Sequence, residues 1–348
     1  MKTQIKLFSV LLLLTFNFSC NKSNDDDPIK IDETENEVVT NVYALVREYD
    51  GTNFTVNVWK NDVATPLNLT NTTSVVTETM YVSGDDVYVG GSEYNGTKHI
   101  AKIWKNGIST SLTDGTNSAG ISSIFVSGND VYAGGYEKNG SDRIAKIWKN
   151  GVASALSDKD SEVSSIYIYN NDVYAVGYEE INDSRIARLW KNGIATSIGD
   201  NNKYVEARSV FVNQNNVCIV GNENTPDIFL AKLWTNGTAS TLNATHYPEP
   251  RSVFVSEENI YIVGSEYVVG SEITIAQFWK NGVATPLTNG THRANAYSVY
   301  ASNNDIYVGG FEYNGTVHVA KLWKNGEPTN LSDGTNNAIV TSVFVTTN

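Results

Sequence analysis

The sequence predicts an all-β fold: a seven-bladed β-propeller of four-stranded antiparallel blades. Three observations carry that expectation. The seven Trp residues, Trp59, Trp104, Trp148, Trp190, Trp234, Trp279 and Trp323, recur at intervals of 42 to 45 residues. A period of this length, filled with short strands, marks a propeller rather than a helical solenoid. Each Trp is followed by a polar turn, WKNG in five repeats, WTNG in one and WKND at Trp59. Asn-Gly suits a two-residue hairpin because both central residues must take positive φ. Finally, the ends of the array complement each other. It begins at Asn41 with a second strand, NVYALVREY, and stops at Asn348 with a first strand, TSVFVTTN. Pairing the C-terminal strand with the N-terminal three strands closes the ring, whereas an open solenoid would show capping repeats.

Residues 121–165 show the order of elements within one unit. SSIFV (122–126) is a first strand and SGND a turn; VYAGGYE (131–137) is a second strand and KNGSD a loop. RIAKIW (143–148) is the third strand, and KNG turns it into VASALS (152–157), the fourth. The third strand is apolar on successive residues, so both its faces are expected between blades. The fourth is rich in Ser and Thr and admits Pro66 and Pro286, which suits an outer edge strand. The array, residues 41–348, is therefore read as a single domain.

The double glycine of VYVGGSEY (87–94), followed by Tyr and later by Trp, resembles the kelch family of propellers. Gly90-Gly91, Gly134-Gly135 and Gly309-Gly310 keep both glycines. The resemblance implies the propeller fold and leaves the partner open, because kelch propellers bind many unrelated molecules.

Residues 1–19 read as a signal peptide. Lys2 and Lys6 give a basic start, and Leu7 to Phe16 form an apolar run too short to span a bilayer. The run ends at Phe18-Ser19-Cys20. A small residue before Cys resembles the lipidation site of bacterial lipoproteins, with Asn17 standing where that motif usually has Leu. The acidic stretch after Cys20, NKSNDDD, resembles the export signal of Bacteroidota surface lipoproteins. Cys20 is thus the expected lipid attachment, and residues 20–40 an acidic flexible linker. The expected address is the outer membrane, lipid-anchored and exposed at the cell surface. The only other cysteine, Cys218, occupies a Tyr slot of the repeat and is expected as a buried apolar filler.

The formal charge of −13 repels phosphate backbones, so nucleic acid is excluded as a partner. Acidic polysaccharides would also be repelled unless a metal or a local basic patch intervened. No Ser-His-Asp arrangement, phosphate loop, calcium loop or zinc spacing occurs, so no catalytic residue, metal or cofactor is assigned. TDGTN (113–117) and SDGTN (332–336) read as loop turns.

Propeller ligands usually meet the face formed by the second-to-third-strand loops and the inter-blade loops. All four His map there. His99 and His318 begin third strands, while His246 and His292 lie in adjacent inter-blade loops, NATHYPEPR and NGTHRANAY. These loops depart most from the repeat and also carry Tyr247, Arg251, Arg293 and Tyr297. A rim of His246, Tyr247, Arg251, His292, Arg293 and Tyr297 suits sugar or peptide recognition by stacking and forked hydrogen bonds. One Glu recurs per repeat: Glu48, Glu93, Glu137, Glu179, Glu223, Glu266 and Glu312. A base stands nine residues on at Lys102, Lys146, Arg188, Lys232 and Lys321, so a structural cross-strand pair is expected. The expectation from sequence is a monomeric surface binding module for a glycan or protein, joined to the membrane only by its lipid. Two alternatives stay open: a carbohydrate-active glycosidase or lyase, and a structural subunit of a surface complex.

Overall fold

A computed structural model describes residues 39–347, apart from residues 183, 201–202, 215 and 225–228. The expected signal peptide, Cys20 and all but the last two residues of the expected linker lie outside the described residues. Twenty-eight strands, β1 to β28 in chain order, form seven separate four-stranded antiparallel sheets. Six sheets are built from consecutive strands. The seventh runs β28 (Asn337–Thr347), β1 (Thr40–Tyr49), β2 (Phe54–Lys60), β3 (Val63–Pro66), with β28 paired along β1. Its register runs from Thr40 opposite Thr347 to Tyr49 opposite Asn337. The ring is closed as the complementary ends require.

The first strands are innermost, since each touches the first strands of both neighbouring blades. They are β4 (Val75–Ser83), β8 (Ala119–Ser127), β12 (Ser161–Tyr169), β16 (Tyr204–Val212), β20 (Tyr247–Ser256), β24 (Ala294–Ser302) and β28. The fourth strands, only four residues each, are almost wholly exposed, as outer edges should be. Between blades lie the tryptophans. Six are at most 1 % exposed, and Trp59 of the composite blade is half-buried. Cys218 is buried in the cluster that holds Val253, Ile262 and Trp279, and burial pushes its thiol pKa up.

The WKNG turn does more than reverse the chain. Its Asn takes positive φ in all seven blades, from 49° at Asn106 to 53° at Asn61. Its side-chain oxygen then accepts the backbone N–H that opens the second strand, as from Val131 to Asn150 at 2.9 Å. In four blades its amide also donates to an Asp on that strand, and the preceding Lys reaches the same Asp at 2.7 Å. The turn end of each blade is therefore latched by its own side chains.

Candidate functional site

Each first strand contains one β-bulge, at the same place in all seven blades. The extra residues are Glu78, Ser122, Ser164, Arg208, Arg251, Tyr297 and Thr341. A bulge leaves one residue unpaired and re-aims its side chain. All seven line one cavity of about 380 Å³ on the propeller axis. The neighbouring second strand makes room for the bulge with glycine. A Cβ on Gly91, Gly135, Gly177, Gly221, Gly264 or Gly310 would sit 1.8–2.0 Å from a carbonyl oxygen of the paired first strand. This second glycine of the GG motif is thus kept in six blades for a reason tied to the cavity. The composite blade has Val46 in that place, and nothing in the structure explains its exemption.

The next two positions of every first strand are uniform. After the bulge comes Thr79, Ser123, Ser165, Ser209, Ser252, Ser298 or Ser342. Each hydroxyl accepts a backbone N–H from the following blade's first strand, at 3.0–3.4 Å. The bond from Met80 to Ser342 completes this cycle across the chain ends at 3.2 Å. Two residues beyond stand Tyr81, Phe125, Tyr167, Phe211, Phe254, Tyr300 and Phe344. Their rings form a closed collar, with neighbouring centroids 4.4–5.0 Å apart. Burial pushes the Tyr300 phenol up to about 12. The cavity lies on the side of this collar away from the latched turns.

Above the bulge tier, Glu162, Glu206 and Glu249 each hold an arginine, and Glu162 lines the cavity. Glu162 bonds Arg143, Glu206 bonds Arg208 at 2.5 Å, and Glu249 bonds Arg251 at 3.0 Å. In β16 and β20 these residues repeat a ladder, Tyr204-x-Glu206-x-Arg208 and Tyr247-x-Glu249-x-Arg251. Tyr204 donates its hydroxyl to Glu206 at 2.8 Å. Arg251 lies over the Tyr297 ring at 5.3 Å. The Nε of both Arg208 and Arg251 is buried without a hydrogen-bond partner.

Across the cavity Arg47 enters from β1, where other blades carry Ser, Tyr, Asn or Phe. Burial depresses the Arg47 guanidinium pKa, opposed by the charge of Glu78. Burial raises the Glu78 carboxyl above the usual carboxylate range, opposed chiefly by Arg47 and reinforced by Glu162. Glu78 is itself exposed to the cavity, so the effect comes from the surrounding wall rather than from enclosure of the side chain.

The residues expected at the rim divide. Arg251 and Tyr297 meet in the cavity, and Tyr247 stands four residues above Arg251 on β20. Tyr247 packs on Phe229 at 4.9 Å. His246 lends its backbone N–H to Glu266 at 3.2 Å, while His292 packs edge-on against Tyr313 at 6.5 Å. The two histidines share no ring contact. Arg293 is exposed, 4.0 Å from Glu272. Among the described residues no group of three or more His, Cys, Asp or Glu could hold a metal ion.

The repeated Glu residues are structural. Glu93 pairs with Lys102, Glu137 with Lys146, Glu179 with Arg188 at 2.7 Å and Glu312 with Lys321 at 3.3 Å. One expected pair is replaced: Lys232 donates to Thr241 at 2.8 Å, and Glu223 takes Lys203 instead at 2.8 Å. Burial opposes ionisation of Glu93, but hydrogen bonds from Lys102 and Thr70 hold its carboxyl below the ordinary value. The TDGTN and SDGTN segments are Asp-capped turns, with Asp114 and Asp333 each accepting from the Thr two residues on at 2.9 Å.

Sequence reasoning missed Glu78, Ser122, Ser164, Arg208, Thr341 and Arg47. The signal was present: in aligned first strands one variable column stands directly before an invariant Ser/Thr column.

Neither a protein-family model nor a curated protein matches this sequence. Solved structures match in fold alone. The β-propeller domain of the Trilobed protease from Pyrococcus furiosus aligns at TM-score 0.50 and 10 % identity, covering 75 % of this chain and 84 % of that one. That domain is described as having an open velcro topology, whereas here β28 closes onto β1. TolB from Acinetobacter baumannii aligns at TM-score 0.48 and 8 % identity, over 86 % of this chain and 79 % of that one. An acylaminoacyl peptidase from Pyrococcus horikoshii gives 0.49 and 12 %, over 75 % and 46 %. The first of these likenesses agrees with the propeller fold, and none of them carries anything about function.

Proposed function

We propose that this protein is a binding module that takes its ligand in the mouth of the central channel. The observation that carries the reading is the bulge tier. Seven equivalent positions hold Glu, three hydroxyl residues, two Arg and Tyr, directly before a hydroxyl tier and an aromatic collar that are nearly uniform. A fold that needs the same residue seven times uses it seven times. A position free of that demand, aimed into a cavity and filled with diverse polar groups, is one shaped by what it touches. The N-terminal lipoprotein-like signal supports display at the outer surface of an outer membrane. The chain enters β1 from the end of the latched turns, so the mouth lies at the propeller end opposite that entry.

The test is a glycan and peptide array probed with the full chain and with Ser122→Trp, which fills the cavity. A ligand that binds the wild type and is lost with Ser122→Trp supports the site. A ligand whose binding ignores that substitution moves the site to the loops around His246 and His292.

A second reading, a glycosidase or lyase, has one observation in its favour. Glu78 is a single carboxyl, raised above its ordinary range, within the field of a second carboxylate at Glu162. Turnover of an array ligand by the wild type, abolished in Glu78→Gln, would establish it; unchanged ligand after long incubation would reject it.

A further inference from the structure

Resting on the channel mouth as the binding site, we infer that the ligand is an anionic sugar, its carboxylate or sulfate held between Arg208 and Arg251. The Tyr-Glu-Arg ladder occurs in two adjacent blades and in no other. Alternate residues of a strand share a face, so each ladder runs down one strand from the rim into the cavity. In each, the Glu engages one guanidinium nitrogen and fixes the side chain. The buried Nε of each arginine has no acceptor among the described residues. Leaving a buried donor unmade is unfavourable, and two guanidiniums on neighbouring strands offer matched donors to one oxyanion.

The far wall agrees. Arg47 has no hydrogen-bonded carboxylate among the described residues, so a third cation faces the same space. Glu78, the one carboxyl of the bulge tier, is raised by burial and countered by the charge of Arg47 on that wall.

The rest of the wall favours a sugar over a peptide. Ser122, Ser164 and Thr341 offer hydroxyls, and among the described residues Ile339 is the one aliphatic side chain on the wall. At the head of the second ladder Tyr247 and Phe229 are 39 % and 45 % exposed and packed together. An exposed aromatic pair is a platform for the apolar face of a pyranose. Tyr247 lies roughly 13 Å along the strand from Arg251, which leaves length for more than one sugar unit. The overall charge of −13 opposes long polyanions. The donors of Arg208 and Arg251 that their Glu partners leave unused, with Arg47 opposite, are the local attraction offered to a short acidic chain or a chain end.

The experiment is calorimetric titration of the full chain with tetragalacturonate, with its fully methyl-esterified form and with a sulfated carrageenan tetrasaccharide. At least one anionic probe is expected to bind, with the sulfated and uronate arms deciding which oxyanion fits. Arg208→Gln and Arg251→Gln should each weaken it roughly 10- to 100-fold, with melting temperatures near that of the wild type. Arg251→Lys, which keeps the charge but loses the fork, should fall between. Tyr247→Ala should weaken the tetrasaccharide more than the monosaccharide acid. The inference is overturned if neither anionic probe binds, if the methyl ester binds as well as the acid, or if both Gln variants bind unchanged. An acidic peptide that binds with the same arginine dependence while both sugars fail would also overturn it. A neutral ligand lost with Ser122→Trp but indifferent to Arg208→Gln and Arg251→Gln would leave the channel site standing and remove the anion from it.

Discussion

The two ends of the first strands obey different rules. Towards the turns, seven blades repeat the same device: hydroxyl stitch, aromatic collar and Asn latch. Towards the mouth, seven equivalent bulges carry Glu, Ser, Ser, Arg, Arg, Tyr and Thr. Both ends use the same backbone, so the difference lies in what each side chain must satisfy. A side chain that meets the next blade has the same task in every blade. One that meets only the cavity has no neighbour to repeat for. Repetition here reports assembly, and its local failure reports recognition.

That contrast can be broken by substitution. The largest effect should come from the packing between blades: Trp148→Ala is expected to lower stability by roughly 3–5 kcal/mol in denaturant unfolding. A loss near zero would mean the blades do not depend on the tryptophans. Gly135→Ala, which puts a methyl group against the Gly120 carbonyl, should cost about 2–4 kcal/mol by the same assay. If it is silent, the glycine column has no link to the bulge. Asn150→Ala loses two hydrogen bonds and the tolerance for positive φ, and is expected to cost about 1–2 kcal/mol. Ser164→Ala, in the bulge tier, should change stability by no more than about 0.5 kcal/mol. A cost as large as that at the latch would erase the distinction between the two ends.

Glu78 adds a pH test. Its carboxyl is raised in the folded state, so its contribution to stability is full below the ordinary carboxylate pKa. That contribution is lost as pH rises through the raised value. As pH rises from the ordinary carboxylate range through that raised value, the wild type should therefore lose stability relative to Glu78→Gln. Unfolding midpoints of the two proteins that stay parallel across that range would show that Glu78 titrates normally.

Much of the scaffold was legible because its signals are local. WKNG specifies a hairpin by its own backbone preferences, and Trp spacing counts the blades. The complementary ends gave the closure. The structural role of the repeated Glu was legible too, because a base nine residues on lies diagonally across one hairpin, as Lys102, opposite Gly91, does from Glu93. The site was half legible. Arg251 and Tyr297 were reached through the loops that precede them, which drew attention by breaking the repeat. Arg208 follows an equally polar strand but no unusual loop, and Glu78, Ser122, Ser164 and Thr341 sit inside segments that read as ordinary first strands. Arg47 lies in a second strand, and only ring closure brings it to the cavity. A bulge has no strong residue signature of its own; here its mark is the glycine on the neighbouring strand. That glycine was read as a likeness to kelch repeats rather than as room for a carbonyl.

The most direct test of the channel as the ligand site uses Ser164→Cys. Affinity for the ligand identified on the array would be measured before and after capping the introduced thiol with a bulky maleimide, with wild-type protein treated alike. Cys218 is 1 % exposed and its thiol pKa is raised by burial, so it should escape the reagent. The expected result is wild-type binding before capping and loss of binding after it, with treated wild type unaffected. Unchanged binding by the capped variant would place the ligand elsewhere and contradict the assignment.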